Sequence, residues 1–180
     1  LSTGAFMKGI IIGATSGIGR ELARQMSEAG YIVGITGRRS HLLDSLEKEL
    51  PGECFKSHMD LTQVHESVGA LEKLLENMGD VDIIVVNSRV GSSDPEFPLP
   101  DELETVAVNV TGFTTMANVA YHYFVAKQKG HIVGISSVAA VRGGPRKNAE
   151  SSTSRKDGGL SRFSCRVFLS DCTESLQVDH

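Results

Sequence analysis

Gly9-Ile10-Ile11-Ile12-Gly13-Ala14-Thr15-Ser16-Gly17-Ile18-Gly19 joins a short β-branched run to a glycine-rich turn, and an amphipathic segment follows. Ile10, Ile11 and Ile12 favour a strand. Beyond the turn, Leu22, Ala23 and Met26 recur at helical spacing, and Gly30 supplies a C-terminal stop. The glycines allow a tight turn, and a helix beginning there offers unbonded N–H groups with a partial positive charge. That is the arrangement that holds a pyrophosphate. The spacing G-x-x-x-G-x-G is a variant of the dinucleotide fingerprint, which makes Gly13, Thr15, Ser16, Gly17, Ile18 and Gly19 candidate cofactor-binding residues. An ordinary glycine-rich turn is the bland alternative. The flanking strand and helix favour the binding turn.

Outward from this turn the alternation continues. Residues 31–36 form a second apolar run, and residues 40–50 place Leu42, Leu43, Leu46 and Leu50 on one side of a helix that Pro51-Gly52 ends. Residues 54–58 suggest a short strand. Residues 62–78 carry Val64, Val68, Leu71, Leu74 and Leu75 at helical spacing. The almost continuous apolar run at 81–86 suits a strand buried on both faces, as in a parallel sheet. Residues 92–100 contain three prolines and suggest a loop. From 101 to about 128 the pattern is helical, with a break expected near Gly112, and residues 131–136 give a fifth strand. Regular strand–helix alternation implies an α/β fold, a doubly wound parallel sheet of Rossmann type with right-handed crossovers.

The chain has 180 residues, a formal net charge of −4 and 40% hydrophobic residues. That balance offers no electrostatic footprint for nucleic acid, and no apolar run is long enough to span a membrane. Met7 reads as a natural start, and because residues 1–6 have no basic segment followed by a long apolar core, no signal peptide is expected. The three cysteines, Cys54, Cys165 and Cys172, lack metal-ligand spacing, which implies a reducing, cytoplasmic setting and no metal site.

The second strand runs into Gly37-Arg38-Arg39. An acidic residue at a strand tip of this kind would bind the ribose hydroxyls of NAD, whereas a basic pair suits the 2′-phosphate of NADP. Arg38 and Arg39 therefore favour NADP over NAD.

These residues, in this order, resemble the short-chain dehydrogenase/reductase family, which uses NAD(P), and the resemblance covers residues 8–145. It implies that Asp60, in Met59-Asp60-Leu61-Thr62, contacts the adenine with Leu61 beside it. From the residues alone, Asp60 also reads as a helix N-terminal cap. The run ending at Val86 aligns with the family's strand that closes on Asn-Asn-Ala-Gly. Only Asn87 of that tetrapeptide is present, and Arg89 replaces the glycine that allows close approach to the cofactor. The resemblance further assigns Asn109 to a water chain behind the catalytic lysine, and Ser137 to the substrate oxygen. An Asn beside a glycine could equally mark a helix kink. The implied reaction is hydride transfer between NADP(H) and a small-molecule carbonyl or secondary alcohol, in a protein that commonly forms homo-oligomers.

The family's chemistry uses a tyrosine as general acid/base, with a lysine four residues on lowering its pKa. Counting about 13 residues on from Ser137 reaches Glu150, and four further is Ser154, so neither member of the pair is present. Tyr123 and Lys127 are four apart but precede Ser137, on the helix before the fifth strand. After residue 145 the character changes to a Ser-rich, basic stretch. The expectation is therefore a dinucleotide-binding domain over 7–145, about five strands of the fold, and an aberrant, truncated or frameshifted tail over 146–180. Two functions compete: an impaired oxidoreductase with a weakened oligomer surface, and a catalytically inactive dinucleotide-binding module.

Overall fold

The computed structural model describes residues 6–91 and 98–136. Five parallel strands form one sheet in the order β3-β2-β1-β4-β5. They are β1 (Lys8–Ile12), β2 (Ile32–Gly37), β3 (Cys54–His58), β4 (Ile83–Val86) and β5 (His131–Gly134). The helices are α1 (Gly17–Glu28), α2 (Ser40–Glu49), α3 (Val64–Met78), α4 (Leu99–Val106) and α5 (Phe113–Lys127), with a π-helical turn at Ala107–Gly112 joining the last two. The chain thus winds outward from β1 to β3, returns across the sheet, and continues to β5. The point of reversal lies between β1 and β4, where a doubly wound sheet opens a crevice at its carboxyl edge.

Alternation in β1 explains why helices cover both faces. Ile10 and Ile12 point to one side, where they pack with Leu71, Leu74 and Met78 of α3 and Met116, Ala120 and Phe124 of α5. Ile11 points to the other, with Ala23 and Met26 of α1 and Leu43 and Leu46 of α2. All three isoleucines are fully buried. A strand with two covered faces has to be apolar where it is covered, as residues 9–12 of β1 and the whole of β4 are. Burying each such side chain contributes about 1.5–3 kcal/mol.

Several boundaries differ from the sequence pattern. Leu99 and Pro100 belong to α4, not to the preceding loop. Proline is compatible with a first helical turn, where the N–H it lacks has no intrahelical partner. Helix α3 begins at Val64, because residues 60–63 are taken up by a turn closed by the Gln63 N–H to the Asp60 carbonyl. Gly112 does not break the helix: its backbone is helical, with φ −62° and ψ −46°. A Cβ built on Gly112 would meet the Leu61 Cβ at 2.7 Å, so glycine is required here for close packing. Strand β5 stops at Gly134 and is half-buried along its length. The expected 7–145 unit is described as far as residue 136; the rest of it and the expected 146–180 tail lie outside the described residues.

The amino edge of the sheet is held by Asp82. Its backbone N–H donates to the Lys8 carbonyl, its carboxylate accepts from the Lys8 N–H at 3.0 Å, and its carbonyl accepts from the His131 N–H at 2.9 Å. Lys129 and Lys127 approach the carboxylate at 3.3 and 3.7 Å. Burial pushes the Asp82 carboxyl up, but the Lys8 N–H and the two ammonium groups outweigh it and hold the group below its ordinary range. Burial also pushes the Cys54 thiol up to about 12, with Glu47 adding to the effect, so Cys54 is unreactive at neutral pH.

A carboxylate held low in the folded state stabilises the fold above its unfolded value of about 3.9, and that contribution is lost as pH falls through the folded value. Asp82→Asn should therefore cost about 1–3 kcal/mol at pH 7 in urea melts. The difference from wild type should shrink as the pH drops below about 4. A difference that stays constant from neutral pH to pH 3 would contradict this role.

Candidate functional site

Gly13 ends β1 with φ +93°, a conformation that suits glycine. Its N–H and that of Ala14 both donate to the Thr36 carbonyl at the end of β2, at 3.2 and 2.8 Å. A Cβ on Gly13 would lie 2.7 Å from the Ser88 Cα, so β1 and the segment after β4 touch backbone to backbone. The Asn87 amide crosses that contact and donates to the Gly13 carbonyl at 2.8 Å. Gly19, in the first turn of α1, leaves room for both groups, since a Cβ there would meet the Gly13 oxygen at 2.1 Å. The turn is therefore clamped between β2 and β4 and directs the N-terminus of α1 into the crevice.

That N-terminus is without a side-chain cap. Ser16 occupies the cap position in extended conformation, yet its hydroxyl makes no capping bond, and the first turn contains no acidic residue. The Ser16 Oγ instead accepts from Arg39 at 2.7 Å, as the Thr15 Oγ1 does at 2.9 Å. Uncapped helical N–H groups beside a guanidinium form a site for an anion.

A cleft of about 160 Å³ opens here. Gly13, Thr15 and Ser16 form one wall, Gly37, Arg38 and Arg39 another, and Met59, Asp60 and Leu61 a third. Asn87 to Val90 and Val108 complete it. Eight of the residues singled out from the sequence thus line one cleft: Gly13, Thr15, Ser16, Arg38, Arg39, Asp60, Leu61 and Asn87. Gly17, Ile18 and Gly19 form the first turn of α1 beside it, and the Ile18 side chain is exposed.

Asp60 does not cap α3. Its Oδ1 accepts from the Thr62 N–H at 3.0 Å and the Thr62 hydroxyl at 2.9 Å, closing a turn two residues long. The Asp60 carbonyl accepts from the Ser67 hydroxyl at 2.6 Å, tying the turn to α3. Asn109 sits in the π-helical turn, where one extra residue per turn re-aims side chains. Its amide donates to the Val90 carbonyl at 2.8 Å and accepts from the Val90 N–H at 3.0 Å. Asn109 therefore fixes the segment containing Arg89, the very place where the sequence departs from Asn-Asn-Ala-Gly. Val108 beside it faces the cleft. The importance of Val90 and Val108 was not visible in the sequence, because neither carries a polar group that would have marked it. Ser137, Glu150 and Ser154 lie outside the described residues.

Tyr123 and Lys127 sit at the opposite edge of the sheet. The Tyr123 hydroxyl donates to the Gly79 carbonyl at 2.9 Å and accepts from the Val81 N–H at 3.0 Å. Lys127 binds the Val81 carbonyl and pairs with Asp80 at 2.6 Å. Both side chains fasten the turn that enters β4, far from the carboxyl edge where the cleft lies.

Comparison with known proteins agrees with this geometry. The family model for short chain dehydrogenases matches residues 9–155, ending ten residues beyond the boundary at 145. A serine 3-dehydrogenase of Agrobacterium fabrum is 36% identical over 137 residues, covering 73% of this chain and 53% of that protein. An uncharacterized oxidoreductase of Myxococcus xanthus is 29% identical over 180 residues, covering 97% of this chain and 66% of that protein. The chain spans about half to two thirds of the length of these curated relatives. Among solved structures, a short-chain type dehydrogenase/reductase from Mycobacterium marinum matches with a TM-score of 0.75 at 25% identity, over 81% of this chain and 62% of that one. An alcohol dehydrogenase from the archaeon Thermococcus sibiricus, complexed with 5-hydroxy-NADP, gives 0.75 at 25%, over 83% and 66%. No helix among the described residues is long and apolar enough to cross a membrane.

Tyr123→Phe should lower stability by about 1–2 kcal/mol, because the Val81 N–H loses its acceptor. Amide exchange at Val81 should accelerate while exchange in the glycine-rich turn stays unchanged. Faster exchange at Ser16 to Gly19 would place Tyr123 in the site after all.

Proposed function

The chain belongs to the short-chain dehydrogenase/reductase family, and on that premise we propose that it binds NADP(H) in the cleft at the carboxyl edge of β1, β2 and β4. The observation that carries this is the uncapped N-terminus of α1 flanked by Arg38 and Arg39. The fit supports a dinucleotide at three points. Gly17, with φ +56° and no atom within 4 Å of where a Cβ would sit, leaves the backbone bare where a phosphate has to come close, while Gly13 and Gly19 let the turn pack tightly enough to present it. Arg38 and Arg39 supply positive charge at the tip of β2, where NADP carries its 2′-phosphate. Asp60 keeps one carboxylate oxygen for Thr62 and lines the cleft with Leu61, in keeping with an adenine contact. Gly17, Ile18 and Gly19 supply amides to the pyrophosphate, and Asn87 holds the turn in shape. NAD is the weaker partner on this account.

NADPH when bound supplies a hydride, and the reaction this supports is transfer between it and a small carbonyl or secondary alcohol. Ser137 is the residue we assign to the substrate oxygen, with Asn109 supporting the site through Val90. The proton transfer is impaired in this chain, because Glu150 and Ser154 stand where the Tyr/Lys pair is expected. An ordinary tyrosine, at a pKa of about 10, already needs that lysine to act as a base. Residues 7–145 are the binding unit on this reading, and the 146–180 segment is an aberrant tail. We place the protein in the cytoplasm, on the grounds of its cysteine usage.

A second reading, an inactive dinucleotide-binding module, is favoured by one observation. Tyr123 and Lys127, the one spaced Tyr/Lys pair of this kind, are consumed by the turn that enters β4. Calorimetric titration with NADPH and NADH, paired with NADPH oxidation on a panel of ketones, separates the two. We expect NADPH to bind more tightly, and Arg38→Ala to weaken it about tenfold or more while NADH changes little. Equal affinity for both cofactors, or no effect of Arg38→Ala, would overturn the NADP assignment. Turnover at ordinary enzyme rates of about 1–10³ per second would overturn the impairment.

A further inference from the structure

The two arginines at the tip of β2 are held in different ways. Arg39 is bound by the neutral hydroxyls of Thr15 and Ser16, so it keeps its charge for an anion. Arg38 is paired with the carboxylate of Glu104 on α4, which neutralises it. The pair spans the junction of two clefts. Arg38, Arg89 and Val90 line both the cleft at the glycine-rich turn and a second one of about 390 Å³, bounded by Asp101, Glu104 and Thr105. The Arg38 and Glu104 side chains are 47% and 40% exposed, so the pair can exchange partners without desolvating either group.

We propose that Glu104 is a specificity-determining residue: its carboxylate competes with the 2′-phosphate of NADP(H) for Arg38 and thereby narrows the preference over NAD(H). The proposal rests on the assignment of Arg38 to the 2′-phosphate. A phosphate dianion that takes the Arg38 guanidinium has to displace the carboxylate and then lie near it, and both steps oppose binding. NAD carries a neutral hydroxyl at the same position, which neither displaces Glu104 nor is repelled by it. Glu104 therefore penalises only the phosphorylated cofactor. Arg39 escapes the competition because its partners carry no charge.

The test is calorimetric titration of the full chain with adenosine 2′,5′-bisphosphate and with adenosine 5′-monophosphate, which differ only in the 2′-phosphate. Glu104→Gln should tighten the bisphosphate about three- to tenfold and leave the monophosphate within about twofold, the scale of an exposed ion pair plus one like-charge contact. In an Arg38→Ala background the same substitution should tighten the bisphosphate by less than about twofold, because only the like-charge contact remains, and leave the monophosphate unchanged. Glu104→Ala should reproduce the result and shows that it does not depend on the amide. A wild type that prefers the bisphosphate by a margin Glu104→Gln leaves unchanged overturns the role of Glu104 alone. A wild type without preference that gains one in Glu104→Gln, and loses it again in the double variant, supports that role while overturning the NADP preference of the native chain. No preference in either protein overturns both.

Discussion

The backbone contact between Gly13 and Ser88 is the constraint from which the site follows. Two parallel strands can end side by side only if the chain leaving one does not collide with the chain leaving the other. Here the clearance is less than a methyl group, since a Cβ on Gly13 would reach the Ser88 Cα at 2.7 Å. The positive φ of Gly13 turns the chain over the end of β2, and the Asn87 amide bridges the gap to the Gly13 carbonyl. With the turn fixed on both sides, α1 has to start at Gly17 and aim its N-terminus into the crevice between β1 and β4. Charge at the β2 tip and the Asp60 turn then face the same space. The position of the glycine-rich turn and of the α1 N-terminus traces back to that close approach.

The opposite edge of the sheet shows what a similar set of residue types does when it is used for structure. Asp82, Lys127, Lys129 and Tyr123 form a dense polar cluster, and each group is satisfied by backbone or by an opposite charge. Hydrogen bonds to a buried carboxylate are among the stronger ones in a fold, and here they register β1, β4 and β5 at their starting points. A Tyr and a Lys four residues apart on a helix share a face by geometry alone. In this chain that face meets the turn at Gly79 to Val81, so the spacing serves packing.

Much of the fold was legible in the sequence because its determinants are local. Ile10, Ile11 and Ile12 announce a strand covered on both faces, and the glycines after them announce the turn. Eight site residues converge on one cleft because the doubly wound topology brings the carboxyl ends of β1, β2, β3 and β4 together. What was not legible depends on contacts between distant segments. Gly112 looked like a helix breaker, but it is small because Leu61 packs against it. Asp60 looked like a helix cap, but its side chain turns back onto Thr62. The clamp of Asn109 on Val90, and the pairing of Arg38 with Glu104 across 66 residues, leave no periodic trace in the sequence. Ser137 and the positions counted from it were legible as a motif and a gap, and they lie outside the described residues.

The central claim is that the first turn of α1 and the tip of β2 together receive a phosphorylated dinucleotide. Titrating isotope-labelled protein with NADP while following backbone amide resonances tests it most directly. Shifts concentrated on Ser16 to Gly19, Arg38, Arg39, Asp60 and Asn87, with Tyr123 and Lys127 unmoved, are the predicted result. Shifts confined to the amino edge around Asp82, or none at saturating cofactor, would contradict it.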